Sequence, residues 1–557
     1  MGGSIGMAAA GGIALPSAVF ATSPPSGGGP AGKVEIEDLG PGSIAFPVLG
    51  STAVDDTVYV GSRNLSPTRV AGFHVPTGQV TSTYTLGNGV YVQGMAAHGA
   101  DVLYAGVSQA QPDVNLYRCD LRTGEVVGVA AIPGQSVATA AVAGDGTVYG
   151  SGRPEGTDRG PALFAFDPTS GTLTDLGVPR PDAGQSLAVA VTDTTVYFGC
   201  GASSAGGGPA GLFAVDRESG AMTDILPDAM AADREINKIE VFDDLLVIGG
   251  AQVGVLDLAS GGAWRLAKVG TRQHQFARTG DLLFVASSGG LHQIDLPTWT
   301  VTRLGDPAGG LGDYQELAAL DGKLVGALSS GHVCTYDLDT GTSDVVELIE
   351  AGAPGDAEAG QSVGVLDRKV YVGGNNSVTV HDRDSRTTSK LAVRGEVKDM
   401  ISVSGTMYMA TYSPAAIWEH RPAEGSAPRR LTTLPPRQNR PHVVRWDEHN
   451  QLLAVGVRSD AGGGSLCLWN PATEELTAYT DPLGSSQWIW NVAPAHGLIY
   501  LAGANSGGHI GHIAAWDPIA GQQVWQMDNP LGDRGGVSSI TVVGRRLYGT
   551  AIGGPRF

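Results

Sequence analysis

Short runs of Val, Ile, Leu, Tyr and Phe alternate with clusters of Gly, Asp and Ser along almost the whole chain. Within residues 185–227 the runs read QSLAVAV, TVYFGCG, GLFAVD and AMTDILP. Each run has the length and the flanking turn residues of a β-strand. Four such strands in about 40 residues make one β-propeller blade, a unit that buries its faces only by stacking against copies of itself. The pattern therefore predicts an all-β fold of repeated four-stranded antiparallel blades.

The same four runs recur in about eleven to twelve units, which predicts two β-propellers in tandem. Residues 33–348 hold seven units, residues 349–360 (IEAGAPGDAEAG) read as a linker, and residues 361–557 hold about five units. Residues 33–39 (KVEIEDL) resemble an outermost strand without its blade, and the last unit lacks its two outer strands. Either residues 33–39 complete the last blade, or the natural chain carries further blades; we expect the second, since one strand cannot replace two.

An Asp ends the third run of most units and is followed by a tight turn. An Asp in this position accepts hydrogen bonds from backbone N–H groups two or three residues later. We therefore expect these carboxylates to be structural rather than catalytic. They are Asp120, Asp167, Asp216, Asp257, Asp295, Asp337, Asp382 and Asp517.

The charge balance narrows the choice of partners. With 35 Lys and Arg against 55 Asp and Glu, the net charge is −20, which disfavours nucleic acid because phosphate neutralisation needs cations. Residues 1–32 contain no charged side chain, and their Ala/Gly-rich run ends in VFA before a Gly/Pro spacer. They resemble the later part of a twin-arginine signal without its Arg pair, the alternative being a disordered leader. We expect export to the cell envelope or outside, and no membrane span.

The chain contains Cys119, Cys200, Cys334 and Cys467, which fall in four different units and show no CxxC spacing. This spacing favours buried free thiols over a zinc site or a redox pair. No Walker loop, nucleophile elbow or zinc-protease motif is present either. The sequence therefore predicts no metal and no cofactor.

One unit carries a longer signature, Ala515-Trp-Asp517-Pro-Ile-Ala-Gly521-Gln-Gln-Val-Trp525. It resembles the tryptophan-docking repeat of quinoprotein β-propellers, and the repeat pattern of residues 33–557 is similar to secreted PQQ-repeat, YVTN and WD40-like propellers. The resemblance implies the propeller fold. Quinoprotein dehydrogenases of this kind also have two adjacent cysteines near the cofactor, and this sequence has none. A PQQ-dependent oxidoreductase is accordingly the third functional hypothesis.

Ligands of propellers bind where loops lead into the innermost strands, and several units are unusually polar there. The stretch RQNRPHVVRWDEH, which begins at Arg437, is the richest. As catalytic candidates we select Arg440, His442 and Tyr314. The binding candidates are Arg437, Asn439, Arg445, Trp446, Trp488, Trp490, His274, Arg278 and Lys398. A solvated rim held by ion pairs between blades is the structural alternative for these residues.

Arginine binds carboxylates with two parallel hydrogen bonds, and a pair of indoles at alternating strand positions offers flat platforms for sugar rings. We therefore predict an exported, monomeric propeller that binds a glycan or an extracellular protein. The alternative is a carbohydrate-active enzyme on acidic sugars. In a polysaccharide lyase, Arg would neutralise the uronate and His or Tyr would move the proton. A glycoside hydrolase would need paired carboxylates such as Glu316 and Asp399.

Overall fold

The computed structural model describes residues 41–557 except 109–113, 133–134, 155–159, 204–206, 271–273, 288–289, 413–414, 460–461, 505–509, 531–535 and 552–557. Regular structure in these residues is β-strand apart from two single-turn 3₁₀-helices, Asp228–Met230 and Pro422–Glu424. The predicted all-β fold of antiparallel blades is confirmed. The predicted export signal and the strand at 33–39 lie outside the described residues.

Seven four-stranded antiparallel sheets, here called blades 1–7, follow one another along the first part of the chain, each with its strands in sequence order. Their strands are Val48–Val54, Thr57–Ser62, Arg69–His74, Gln79–Thr85 (blade 1); Tyr91–His98, Val102–Ser108, Leu116–Asp120, Val126–Ala130 (blade 2); Gln135–Val142, Val148–Pro154, Leu163–Asp167, Thr172–Gly177 (blade 3); Gln185–Val191, Thr195–Gly201, Gly211–Asp216, Met222–Asp224 (blade 4); Lys238–Phe242, Leu245–Gly249, Val253–Asp257, Arg265–Ala267 (blade 5); Gln275–Thr279, Leu282–Ser287, Gly290–Asp295, Thr300–Gly305 (blade 6); and Tyr314–Leu320, Lys323–Leu328, His332–Asp337, Ser343–Glu347 (blade 7).

The later part of the chain continues the same arrangement as blades 8–12, and the last of these has two strands among the described residues. The strands are Ser362–Leu366, Lys369–Gly373, Asn375–Asp382 and the start of Thr388–Val403 (blade 8); the rest of Thr388–Val403, Thr406–Tyr412, Ala416–His420, Arg429–Thr433 (blade 9); Gln438–Asp447, Leu452–Ser459, Gly462–Asn470, Glu475–Thr480 (blade 10); Trp488–Ala495, Leu498–Ala504, His512–Asp517, Gln522–Asp528 (blade 11); and Val537–Val543, Arg546–Ala551 (blade 12).

Burial follows the order of strands within a blade. Second strands such as Val102–Ser108 and Leu282–Ser287 are almost wholly buried, because both of their faces pack against neighbouring blades. Fourth strands are more exposed, and two of them, Met222–Asp224 and Gln522–Asp528, are exposed at every position. The continuous apolar runs of the second strands therefore reflect burial on both faces of the sheet.

Glycines on the inner strands let neighbouring blades approach each other closely. A Cβ atom on Gly50 would lie 2.1 Å from the carbonyl oxygen of Gln93, and one on Gly94 would lie 2.8 Å from the backbone of Thr139. Both distances are too short for any side chain. Part of the high glycine content thus serves contacts between blades as well as turns.

Blade 1 packs against blade 7 as well as against blade 2. The Val48 N–H donates to the Ser329 carbonyl oxygen over 3.2 Å, and one buried cluster joins Val60 to Val325. Residues 349–360, predicted as a linker, include the short strand Asp356–Ala357, which pairs with Ile44–Ala45 beside blade 1. The division of the chain into two rings stays a prediction.

The structure differs from the expected separate blades at one place. The strand Thr388–Val403 runs without a break from the outer edge of blade 8 into the inner position of blade 9, which joins the two into a seven-stranded sheet. Residues 388–403 contain no Pro, and Gly395, which has a φ of +95°, is the only residue among them of a type that commonly interrupts a strand. The Gly395 N–H donates to Asn376 Oδ1 over 2.8 Å.

The structural role predicted for the repeated Asp residues is confirmed. Asp167 Oδ1 accepts from the Thr169 N–H over 2.8 Å, and Asp216 Oδ1 accepts from the Ser219 N–H over 2.7 Å. The four cysteines are buried free thiols, as expected. Among the described residues, no helix has the length and apolar character that crossing a bilayer requires.

Candidate functional site

Four aromatic and cationic side chains from blades 10 and 11 form a continuous stack, here called the ladder. Arg458 caps one end, with its Cζ atom 3.9 Å from the centroid of the Trp488 ring. Trp488 and Trp490 follow with their centroids 6.3 Å apart and their planes inclined by 26°. His442 completes the ladder at 4.2 Å from Trp490. Alternation along the strand places both indoles on one face, as predicted from the sequence.

Two further cations stand beside the ladder and share one aromatic ring. The Cζ atom of Arg440 lies 4.2 Å from the centroid of the Tyr412 ring, and Lys398 Nζ lies 5.8 Å from the same point. Lys398 also donates to Gln361 Oε1 over 2.9 Å and pairs with Glu396. Stacking on aromatic faces holds an Arg in place and leaves the edge of its guanidinium able to donate.

Burial and the surrounding cations keep His442 neutral. Burial is the largest cause that lowers its pKa to about 4, and the charges of Arg440, Arg458 and Lys398 add to the effect. Neither His442 Nε2 nor Arg440 Nε has a hydrogen-bond partner among the described residues. Both atoms are buried. A positive, partly desolvated cluster of side chains thus lies in a protein of net charge −20.

The other candidates from blade 10 either make structural contacts within the fold or lie outside the ladder. Arg445 donates to Asp399 Oδ2 over 2.6 Å, and the same oxygen accepts from the Val444 N–H over 2.9 Å. The Trp446 indole donates to Glu448 over 2.6 Å and packs against a buried cluster between blades 9 and 10. Arg437 is exposed in the turn before the strand and has a φ of +70°.

Asn439 is half-buried at the start of the same strand. Asp399, one of the carboxylates considered for hydrolysis, is engaged by Arg445 and by the backbone. Blade 10 therefore divides into a structural part around Arg445 and a part that contributes Arg440 and His442 to the ladder.

The remaining candidates lie on blades 6 and 7, around a cavity of about 790 Å³ that the inner strands of blades 1–7 line. His274 is fully buried before the inner strand of blade 6, and Arg278 donates to the Phe242 carbonyl oxygen over 3.0 Å. Tyr314 packs with Ala308 and Cys334 in a core cluster of blades 6 and 7, where burial raises its pKa. The structure thus brings Arg440, His442, Trp488, Trp490 and Lys398 together and places Tyr314 in a different core.

Sequence reasoning missed Arg458 and Tyr412. Both lie on second strands, whereas the candidates were chosen only among residues in or just before the innermost strands. The register of the hairpin pairs Arg458 with Arg440, so extending the search by one strand of each blade would have found it.

No protein-family model matches the chain, and no curated protein matches its sequence. Among solved structures, the extracellular domain of BT4673 from B. thetaiotaomicron is 13% identical over 88% of this chain and 72% of its own, with a TM-score of 0.30. PorZ, a surface component of the type-IX secretion system of Porphyromonas gingivalis, is 11% identical over 91% of this chain and 78% of its own, with a TM-score of 0.41. The computationally designed Ika8 protein is 15% identical over 61% of this chain and 98% of its own, with a TM-score of 0.23.

These TM-scores are too low to assign the fold class, which is assigned instead from the blades of the chain itself. Repeated four-stranded antiparallel sheets in sequence order define an all-β protein of the β-propeller class. Membership of the PQQ-repeat or YVTN group stays a prediction.

Proposed function

We propose that this chain is an exported β-propeller protein that binds an acidic glycan through the ladder on blades 10 and 11. The observation that carries the proposal is the stacked pair Trp488–Trp490 with Arg458 at one end. Arg440 lies opposite Arg458 in the register of the same hairpin. Uronate carboxylates accept the paired N–H groups of arginine, and the exposed parts of the two half-buried indoles offer apolar contact area beside these cations. A polymer that carries a negative charge on successive sugars could contact the arginines and the indoles together.

The state of His442 favours binding over catalysis. A general base works best when its pKa lies near the operating pH. Burial lowers the pKa of His442 to about 4, so this imidazole is a weak base and carries almost no dissociable proton at neutral pH. Tyr314, the other predicted proton carrier, lies in the core of blades 6 and 7. The two residues that the sequence predicted to move the proton are therefore poorly suited to a lyase on this site.

The test is equilibrium binding of the full chain to polygalacturonate, alginate and hyaluronan, with dextran as a neutral polymer. We expect saturable binding to at least one acidic polymer and none to dextran. Arg440→Ala should weaken binding at least about tenfold, because a hydrogen bond to a charged group contributes about 1.5–3 kcal/mol. Trp488→Ala should also weaken it, since buried aromatic anchors dominate such interfaces.

A matched control exists on blades 5 and 6, where the Cζ atom of Arg265 lies 4.1 Å from the centroid of the Trp299 ring. Arg265→Ala removes an equivalent stacked arginine outside the ladder and should leave binding unchanged. Equal retention of dextran would refute the role of charge. Release of unsaturated uronate, followed by its ultraviolet absorbance, would replace the proposal with a lyase, and new reducing ends alone would indicate a hydrolase.

A further inference from the structure

Buried apolar clusters join neighbouring blades almost everywhere along the chain. Six of them link each of blades 1–6 to the next blade, and a seventh links blade 7 back to blade 1. Four more link blades 8 and 9, 9 and 10, 10 and 11, and 11 and 12. Within the described part of the chain, each cluster lies either in residues 46–353 or in residues 366–547, and none joins blade 7 to blade 8.

Polar contacts take the place of a shared cluster at the junction between blades 7 and 8. Arg394, on the long strand that leaves blade 8, donates to Oδ1 of Asp313, just before blade 7, over 2.6 Å. Their side chains are only 12% and 21% exposed, so the pair lies inside the junction. Lys390, on the same strand, pairs with Glu347 on the outer strand of blade 7 and donates to the Ile44 carbonyl oxygen over 3.2 Å. We call the ion pairs Arg394–Asp313 and Lys390–Glu347 the latch.

A single short stretch of chain crosses from one side of the junction to the other. Asp356–Ala357 pairs with Ile44–Ala45 beside blade 1, so the chain as far as residue 357 belongs to the side of blades 1–7. The Gln361 N–H donates to the Gly373 carbonyl oxygen over 2.7 Å, so the chain from residue 361 onward belongs to blade 8. Residues 358–360 therefore make the covalent crossing.

The side chain of Glu358 adds one more polar contact at this crossing. Its Oε1 atom accepts from Ser43 Oγ over 2.8 Å and from the Asn375 N–H over 3.0 Å. A small polar interface between two domains permits relative motion, whereas a large apolar one prevents it. Salt also screens ion pairs that water reaches, because the Debye length falls from about 10 Å at 0.1 M to about 3 Å at 1 M. Salt should therefore weaken this junction more than the described boundaries that apolar clusters hold together.

We propose that blades 1–7 and blades 8–12 are two rigid bodies that rotate relative to each other about residues 358–360, and that the latch holds them in one closed arrangement. Breaking the two ion pairs removes the attraction across the junction and leaves the apolar clusters within each body intact, so each body keeps its fold. The rotation moves the ladder, on blades 10 and 11, relative to the cavity of blades 1–7. The proposal does not depend on the function proposed for the ladder.

Distances between two spin labels, measured by pulsed electron paramagnetic resonance on the full chain, test the proposal. Val301→Cys on blade 6 and Ile519→Cys on blade 11 provide exposed label sites, while the four native thiols are buried. We expect a narrow distance distribution at about 0.1 M sodium chloride and one at least about twofold broader at about 1 M. In Lys390→Met/Arg394→Met, which lacks both cations of the latch, the broad distribution should be present at both salt concentrations.

Two controls separate rotation from unfolding. A label pair within one body, Val301→Cys with Val127→Cys on blade 2, should keep the same distribution at both salt concentrations and in the double variant. Arg445→Met removes a matched ion pair, since Arg445 and Asp399 are 2.6 Å apart and link blades 9 and 10, which also share a buried cluster. This variant should leave the distance between the two bodies unchanged.

Salt acts on the unsubstituted latch, so the test stands whether or not the double variant folds. A distribution between the bodies that stays narrow at high salt would show that the chain is one rigid body and would overturn the proposal. A distribution that is already broad at low salt would overturn it as well, because the latch would then hold nothing in place.

Discussion

The pKa of His442 offers a direct test of the ladder. A fall from 6.5 to about 4 corresponds to a cost of about 3 kcal/mol for charging the imidazole in the folded protein, at roughly 1.4 kcal/mol per pH unit. Burial is the largest cause, and Arg440 is the second. The contribution of Arg440 therefore cannot exceed that of burial.

Two substitutions separate these causes. Arg440→Gln removes a charge and should raise the pKa of His442 by less than half of the distance back to 6.5. Trp490→Ala admits water to the ring that now stacks at 4.2 Å, which relieves burial and should raise the pKa further. Arg265→Gln, on blade 5, should leave it unchanged.

The assay is an NMR titration of the imidazole Cε1–H signals, with His442→Gln used to assign the resonance. The sign of the pH effect on stability follows from the same shift. Because the folded state resists protonation, unfolding takes up a proton between pH 6.5 and about 4, and stability falls as the pH is lowered through that window. A pKa of His442 near 6.5 in the wild type, or a larger rise in Arg440→Gln than in Trp490→Ala, would refute the reasoning.

Two further predictions concern the blades. Gly50→Ala should lower the free energy of unfolding by roughly 3 kcal/mol, the upper part of the usual range for overpacking, because its Cβ would lie 2.1 Å from a backbone oxygen of blade 2. In thermal unfolding, Gly262→Ala is the control, since the nearest atom to its Cβ is the flexible Ser260 Oγ at 3.3 Å. Burial raises the pKa of the four thiols to about 12. They should therefore not react with a disulfide reagent at pH 8, about half a unit below the pKa of a free thiol, until urea unfolds the protein. Rapid labelling of the native protein would contradict their burial.

The repeat pattern predicted the blades because each strand is local, with its own apolar run and its own turn. Asp167 and Asp216 were interpreted correctly for the same reason, since their partners lie two or three residues away. The grouping of Trp488 with Trp490 followed from alternation along one strand, and Arg440 and His442 were grouped because they lie in the same short polar stretch. Contacts of this kind are encoded within a few residues and need no knowledge of the packing.

The remaining features depend on neighbours that are distant in the chain. Glu316 on blade 7 faces Lys238 and Glu240 on blade 5 across a cavity, and no local pattern relates these positions. Tyr314 was a catalytic candidate in the sequence because a tyrosine can move a proton, but its ring packs in the core between blades 6 and 7. Alternation along a strand shows which residues share a face, and the packing of whole blades decides whether that face meets solvent, a cavity or a core.

The hydrogen bond from Val48 to Ser329 also has a consequence for the order of folding. Within a blade each strand pairs with the next one in the chain, so the hairpins can form from local contacts as soon as they exist. The joint between blades 1 and 7 must instead close a loop that contains all the blades between them. Non-local closure of this kind slows folding, although each doubling of loop length adds only about 0.6 kcal/mol of entropy. We therefore expect this joint to be a slow step in the assembly of blades 1–7, during which the apolar side chains of Val48 and Val60 are open to other chains.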